Sequence, residues 1–306
     1  MAKIRYLSLF SGIEAFSCAV KDMPEYTPVA FAEIEPFPCA VLQHHYPSVP
    51  NLGDVTKIDG KALRGKVDLI VGGPPCQDWS VIGERAGLDG RRSVLALDYL
   101  RILDDVRPQW FIVENVPGLL NCNSGSDYRV LLQKMDELRY HVAWRVLDSR
   151  HFNLPQRRKR IYIVGHSDGW EAPAKVLFEL ESVCWHPSPM PKKREEDSAC
   201  SREGAGGRRY TPRIAPTLTA SGACFSRPGF PNQQLDALVV ENDGVRRLTV
   251  EECEALQGFD RGYTDVRYKG KVAPDSLRYK SVGNSFSVNV VNWIAKRILM
   301  VQNGEL

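Results

Sequence analysis

The chain contains no run of about 18 apolar residues, which excludes an ordinary membrane-spanning helix. Its eight cysteines are scattered, with no Cys-x-x-Cys pair and no other zinc-ligand spacing. No metal site is therefore expected. In 306 residues, free thiols of a reducing compartment fit better than a disulfide framework. Neither a Gly-x-Gly-x-x-Gly fingerprint nor a Walker A sequence is present, which argues against a nicotinamide oxidoreductase or a nucleoside triphosphatase. There is no strong charge of one sign. Forty Lys+Arg against 37 Asp+Glu leave +3, so any surface for a polyanion must come from local clustering. The first residues, MAKIRYLSLFSGIEAF, open like a secretion signal. Ser8, Ser11 and Glu14 interrupt the apolar stretch and no small-residue cleavage site follows. A soluble, cytoplasmic protein is expected. No internal repeat occurs.

What is present is a core. Hydrophobic residues make up 43% and charged residues 25%, which allows a large domain plus a smaller one. Up to residue 165 two patterns alternate. Ile4–Phe10, Val29–Glu33, Val67–Gly72, Trp110–Glu114, His141–Leu147 and Ile161–Val164 read as strands. Ile13–Val20, Pro36–His45, Val94–Val106 and Tyr128–Leu138 have helical spacing. Strand then helix, repeated, predicts an α/β fold with a mostly parallel sheet covered on both faces. Residues 186–233 are rich in Pro, Gly, Ser and charge, and periodicity fades. They read either as a long linker or as an irregular recognition module. Order returns at Arg246. Thr249 followed by Glu252 is a capping box, and Ser285–Val301 reads as a final helix. The expected division is 1–165, 166–245 and 246–306.

Three stretches carry chemistry. In VDLIVGGPPCQDWS an apolar strand ends in two glycines and two prolines before Cys76. Ligands of open α/β sheets bind beyond the carboxyl ends of the strands, and the prolines stiffen the loop that presents the thiol. In WFIVENVPGLL a second apolar strand ends in Glu114–Asn115. A thiol and a carboxyl group at one sheet edge suit covalent catalysis with an acid partner. In FNLPQRRKRIYIVG, Gln156, Arg157, Arg158, Lys159 and Arg160 precede a strand. Alternation opposite Ile161 and Ile163 sets Arg158 and Arg160 on one face.

In this order these pieces resemble the DNA (cytosine-5)-methyltransferase family, bacterial or phage type, over nearly the whole chain apart from about 170–215. FSGIEAF is similar to the family's cofactor loop, AEIEPF to its acidic strand end, and Asp54 in GDVT to its adenine-contacting acid. GGPPCQ holds the Pro-Cys-Gln signature, ENV the Glu-Asn-Val, and QRRKR the Gln-x-Arg-x-Arg. RRLTVEECEALQGF and VGNSFSVNVV resemble the two C-terminal motifs. The first loop departs from the family's usual Asp-Leu-Phe-Ala-Gly-x-Gly-Gly. Here Ser8 stands for the leading Asp, and one glycine of three survives, with Glu14 and Ala15 in the places of the other two.

The resemblance implies an S-adenosylmethionine-dependent methyltransferase fold, Rossmann-like, with a smaller irregular target-recognition domain. It places the cofactor (product S-adenosylhomocysteine) against Phe10, Gly12, Ile13, Glu33, Ile34, Asp54, Val55, Pro74, Leu95, Asn284 and Ser285. Glu33 would take the ribose hydroxyls and Ile34 the adenine face. Catalysis would use Cys76, Glu114, Gln156, Arg158 and Arg160, with Cys76 adding to a flipped cytosine in double-stranded DNA. Arg158 would orient the base. Gln77, Ser80, Arg208 and Arg209 would contact DNA. A monomer is expected, either free-standing or paired with a restriction endonuclease. Two rivals stay open: methylation of transfer RNA by the same chemistry, and a non-catalytic binding protein on this fold.

Overall fold

A computed structural model of the chain describes residues 3–75, 95–179, 198–200, 210–212, 215, 217–218, 238–241 and 244–306. Cys76, Gln77, Ser80, Arg208 and Arg209 lie outside these described residues, as do the loop glycines that follow Cys76.

Six strands form the central sheet: β1 (Ile4–Leu9), β2 (Tyr26–Ala32), β3 (Leu69–Gly72), β4 (Trp110–Asn115), β5 (His141–Asp148) and β6 (Lys159–His166). Their order is β2-β1-β3-β4-β6-β5. The pairs β1–β2, β1–β3 and β3–β4 are parallel, whereas β6 runs antiparallel to both of its neighbours. Only 10 residues separate β5 from β6, with a short 3-10 turn rather than a helix between them. That is too few for a parallel crossover.

Alternating side chains feed two cores. Leu7, Leu9, Ile70, Phe111, Val113, Ile161 and Ile163 pack on one face. The helices covering them are α3 (Leu95–Val106) and α4 (Ser126–Glu137). Tyr6, Val71, Ile112, Tyr162 and Val164 point to the other face. It is covered by α1 (Ala15–Ala19), α2 (Pro36–His45), α5 (Glu171–Leu177) and the C-terminal helices. Because α5 packs against β5 and β6, the strand–helix layer continues past Gly165.

Beyond α5, the described backbone forms two short antiparallel pairs, Ser198–Cys200 with Tyr210–Pro212 and Leu238–Glu241 with Gly244–Arg247. Helix α6 (Val250–Gln257) opens with the capping box of Thr249 and Glu252. The final helix read at Ser285–Val301 is α8 (Val288–Gln302), and a further helix, α7 (Asp275–Asn284), precedes it. Helix α8 lies on α1 and α5. Tyr26 Oη donates to Ala295 O at 2.9 Å, and Trp110 Nε1 to Gln302 Oε1 at 2.7 Å.

Candidate active site

The sheet register brings the site together. Leu9 pairs with Ala32 and with Gly72, and Gly72 with Val113. The next residue on each strand (Phe10, Glu33, Gly73 and Glu114) therefore stands in one row at the carboxyl edge. Gly72 and Gly73 permit this. A Cβ on Gly72 would lie 2.9 Å from Tyr99 and 3.1 Å from Leu9 O, and one on Gly73 2.8 Å from Phe286. A cavity of about 490 Å³ opens over this edge, within the usual range for a small-molecule site. Phe10, Gly12, Glu33, Ile34, Asp54, Val55, Pro74, Leu95 and Asn284 line it together with Glu114, Arg158 and Arg160.

At one end, Glu33 is fixed by the backbone. Its Oε1 accepts from Ile34 N at 2.8 Å and Glu35 N at 2.7 Å, and its Oε2 from Gly12 N at 2.7 Å. Asn51 clamps the main chain of Glu33 on both sides, at 3.0 Å each. Since Oε1 already has two donors, a ribose diol must share Oε2 with Gly12 or displace it. Ile34 is 68% exposed, a large apolar surface turned to the cavity. Asp54 caps the turn Val55–Lys57. Thr56 N and Oγ1 donate to its Oδ1 at 3.0 and 2.9 Å, and these bonds hold its carboxyl below the usual range.

At the other end sits Glu114, buried at the end of β4. Burial pushes its carboxyl up, opposed by the charges of Arg160 and Arg158. Arg160 Nε lies 3.1 Å from Oε1, yet that oxygen makes no aligned hydrogen bond. A buried acid at a cavity wall, with its pKa raised by burial and checked by one arginine, is suited to exchange a proton with a group that enters. Asn115, next on the strand, donates from Nδ2 to Pro74 O at 2.8 Å in the interior. That bond ties the end of β4 to the loop leading to Cys76.

Four of the expected site residues stand apart from the open cavity or are held by other partners. Ile13 does not line the cavity. Its side chain is wholly in the core, and its carbonyl accepts from Tyr263 Oη at 2.8 Å. Ser285 lines only a small adjoining recess. Gln156 is fully buried, with neither amide atom partnered, and its main chain bridges to Ala215. Arg158 reaches the cavity wall but is not free to orient a base. Its Nη1 donates to Leu218 O at 2.9 Å and Gly283 O at 3.2 Å, and its Nη2 to Ser285 O at 2.8 Å. It clamps β6, the Leu218 segment and the α7–α8 junction. Burial lowers its pKa to about 10, which leaves it charged at neutral pH.

Some residues were missed. Asn51 carries no signal beyond its place near a strand end, and Asn115, read as part of the Glu114–Asn115 strand end, gave no sign of its bond to Pro74. Lys280 and Glu35 pair at 3.2 Å across the cavity mouth, 245 residues apart in sequence.

The architecture is that of S-adenosylmethionine-dependent methyltransferases. The crystal structure of S. pombe Dnmt2 methyltransferase matches with a TM-score of 0.69 over 98% of this chain and 100% of that one, at 19% identity. The family model for C-5 cytosine-specific DNA methylase matches residues 4–198 and 192–300, and the chain belongs to that family. The type II methyltransferase M.BsuFI of Bacillus subtilis is 38% identical over 98% of this chain and 74% of its own length. The orphan methyltransferase M.Rho11sI of Bacillus phage rho11s is 41% identical over 54% of this chain and 33% of its own length. Three such relatives are considerably longer, the chain covering 33%, 61% and 38% of them.

Proposed function

We propose that this chain transfers a methyl group from S-adenosylmethionine to carbon 5 of cytosine in double-stranded DNA, at a specific short site. The observation that supports this most is Glu114: a buried carboxyl with a raised pKa at the cavity wall, ion-paired to Arg160 without an aligned hydrogen bond. It lines the same cavity as Glu33 and Asp54, and Asn115 beside it donates to Pro74 O, two residues before Cys76 in the sequence.

The residues present fit the cofactor. Glu33 Oε2 would accept from ribose and Asp54 from the adenine amino group, and exposed Ile34 would cover the adenine face. The cofactor supplies an electrophilic methyl group. Carbon 5 of cytosine is a poor nucleophile, and the protein's task is to make it a better one. The Cys76 thiolate adds to carbon 6, forming a carbon–sulfur bond and pushing charge toward ring nitrogen 3. Protonated Glu114 gives its proton to that nitrogen. Arg160, beside Glu114, limits how far its pKa climbs. After methylation the carbon-5 proton leaves to solvent or a base, Cys76 is expelled, and Glu114 recovers its proton. Such chemistry needs the base out of the stack.

Sequence choice belongs to the segment between α5 and α6. Phosphate and base-edge contacts need groups beyond those the strand–helix layer spends on its own packing. Arg208 and Arg209, with Gln77 and Ser80 beside Cys76, are the proposed DNA contacts.

DNA carrying 5-fluorocytosine tests the nucleophile. Fluorine cannot leave as a cation, so the unaltered chain should be trapped as a denaturant-resistant adduct that gel mobility detects. Cys76→Ser should bind DNA and form none, because a hydroxyl is a far weaker nucleophile than a thiolate. Equal trapping by Cys76→Ser would move the nucleophile elsewhere, and trapping on RNA in preference to DNA would favour the transfer-RNA reading.

A further inference from the structure

The loop between β1 and α1 differs from the family's usual pattern at two places that face each other. The usual acid has become Ser8, and a usual glycine has become Glu14. Glu14 adopts the left-handed backbone that glycine favours, with φ 62° and ψ 61°. An L side chain is disfavoured there, so it is held by its surroundings. It is 1% exposed. Ser17 N and Oγ donate to its Oε1 at 3.1 and 3.0 Å. Its Oε2 is buried and has no partner.

Glu14 lines a recess of about 30 Å³, walled also by Ser8, Phe10, Gly12, Asn284 and Ser285. The recess holds one water-sized group. Phe10, Gly12 and Asn284 line the main cavity as well, so the recess is its side chamber at the end away from Asp54. A buried carboxylate oxygen without a donor is costly, and a cation that donates hydrogen bonds removes that cost. Burial pushes the Glu14 carboxyl up to about 7 against the opposing effect of the Ser8 hydroxyl and of the Ser17 hydroxyl and N–H.

We propose that Glu14 receives the α-ammonium group of the cofactor's methionine end. An ammonium fits by size and sign, and it brings three donors to a chamber whose free acceptor is Oε2. The proposal rests on the reading of the main cavity as the S-adenosylmethionine site. Glu14 is then a positioning residue: it anchors the far end of the cofactor, while the methyl group faces the Glu114 end.

Calorimetry on the full chain separates this from a structural role. The ligands are S-adenosylhomocysteine and its analogue with hydrogen in place of the α-amino group. The unaltered protein should prefer the amino compound by about 10–100-fold, the worth of a hydrogen bond to a charged group. Glu14→Gln should lose that preference while binding the desamino analogue within about twofold of the unaltered protein. Glu14→Gly restores the residue usual at this turn, so the fold tolerates it, and it should behave in the same way. A preference retained in either variant overturns the proposal, as does an equal loss of both ligands. If the unaltered protein binds neither ligand, the cofactor reading falls, and this proposal with it.

Discussion

In the proposed reaction Glu114 gives a proton to the ring and takes it back, and its neighbours set how readily it would do so. Burial raises its pKa, and Arg160 is the larger of two charges pulling it down. The active form is the protonated one, so turnover falls as pH rises through the raised pKa. Replacing Arg160 by Met removes the opposing charge, and the pKa climbs further. The high-pH limb of the single-turnover rate should therefore move to higher pH in Arg160→Met, and an unmoved limb would dissociate Arg160 from Glu114. Glu114→Gln should lose about 10²–10⁴-fold in rate and lose the limb altogether.

At the scale of elements, Arg158 joins β6 to the α7–α8 junction that supplies Asn284 to the cavity. Its guanidinium spans three backbone carbonyls. Arg158→Ala leaves these acceptors buried, at about 1–3 kcal/mol for each group that finds no water. A loss of roughly 2 kcal/mol or more should lower Tm by about 5 °C or more, and the loosened junction should weaken S-adenosylhomocysteine binding as well. An unchanged Tm in thermal denaturation would show that the clamp is not structural.

The same scale shows what could be read beforehand. β3 and β4 are wholly apolar and end in GGPP and EN, so their strand ends, and with them Glu114, were legible. The direction of β6 was not read. Its signal was the shortness of the link from β5, not the composition of either strand. Helix α7, DSLRYKSVGN, was missed because it has little apolar periodicity. Its buried members include Arg278, Ser281 and Gly283, and Arg278 binds Thr264 and Glu251. Arg158 was placed correctly by alternation, but its partners lie 60 to 127 residues away. No local pattern marks such distances, so its work as a clamp was invisible.

At the scale of the molecule, the cavity is closed by parts distant in sequence. The N-terminal strands give its floor, α7 its far wall, and Lys280–Glu35 bridges its mouth. Tyr263 holds the first loop through Ile13, and α8 fastens the C-terminal part to α1 and α5. Cofactor and base sites thus depend on both ends of the chain meeting on one sheet.

The most direct test is the identity of the product. Double-stranded DNA is incubated with the chain and S-adenosylmethionine labelled in the methyl group, then digested to nucleosides and resolved by mass. The account predicts label in 5-methyl-2′-deoxycytidine alone, absent with Cys76→Ser. Label in N4-methylcytosine or N6-methyladenine, which need no thiolate at carbon 6, would contradict it.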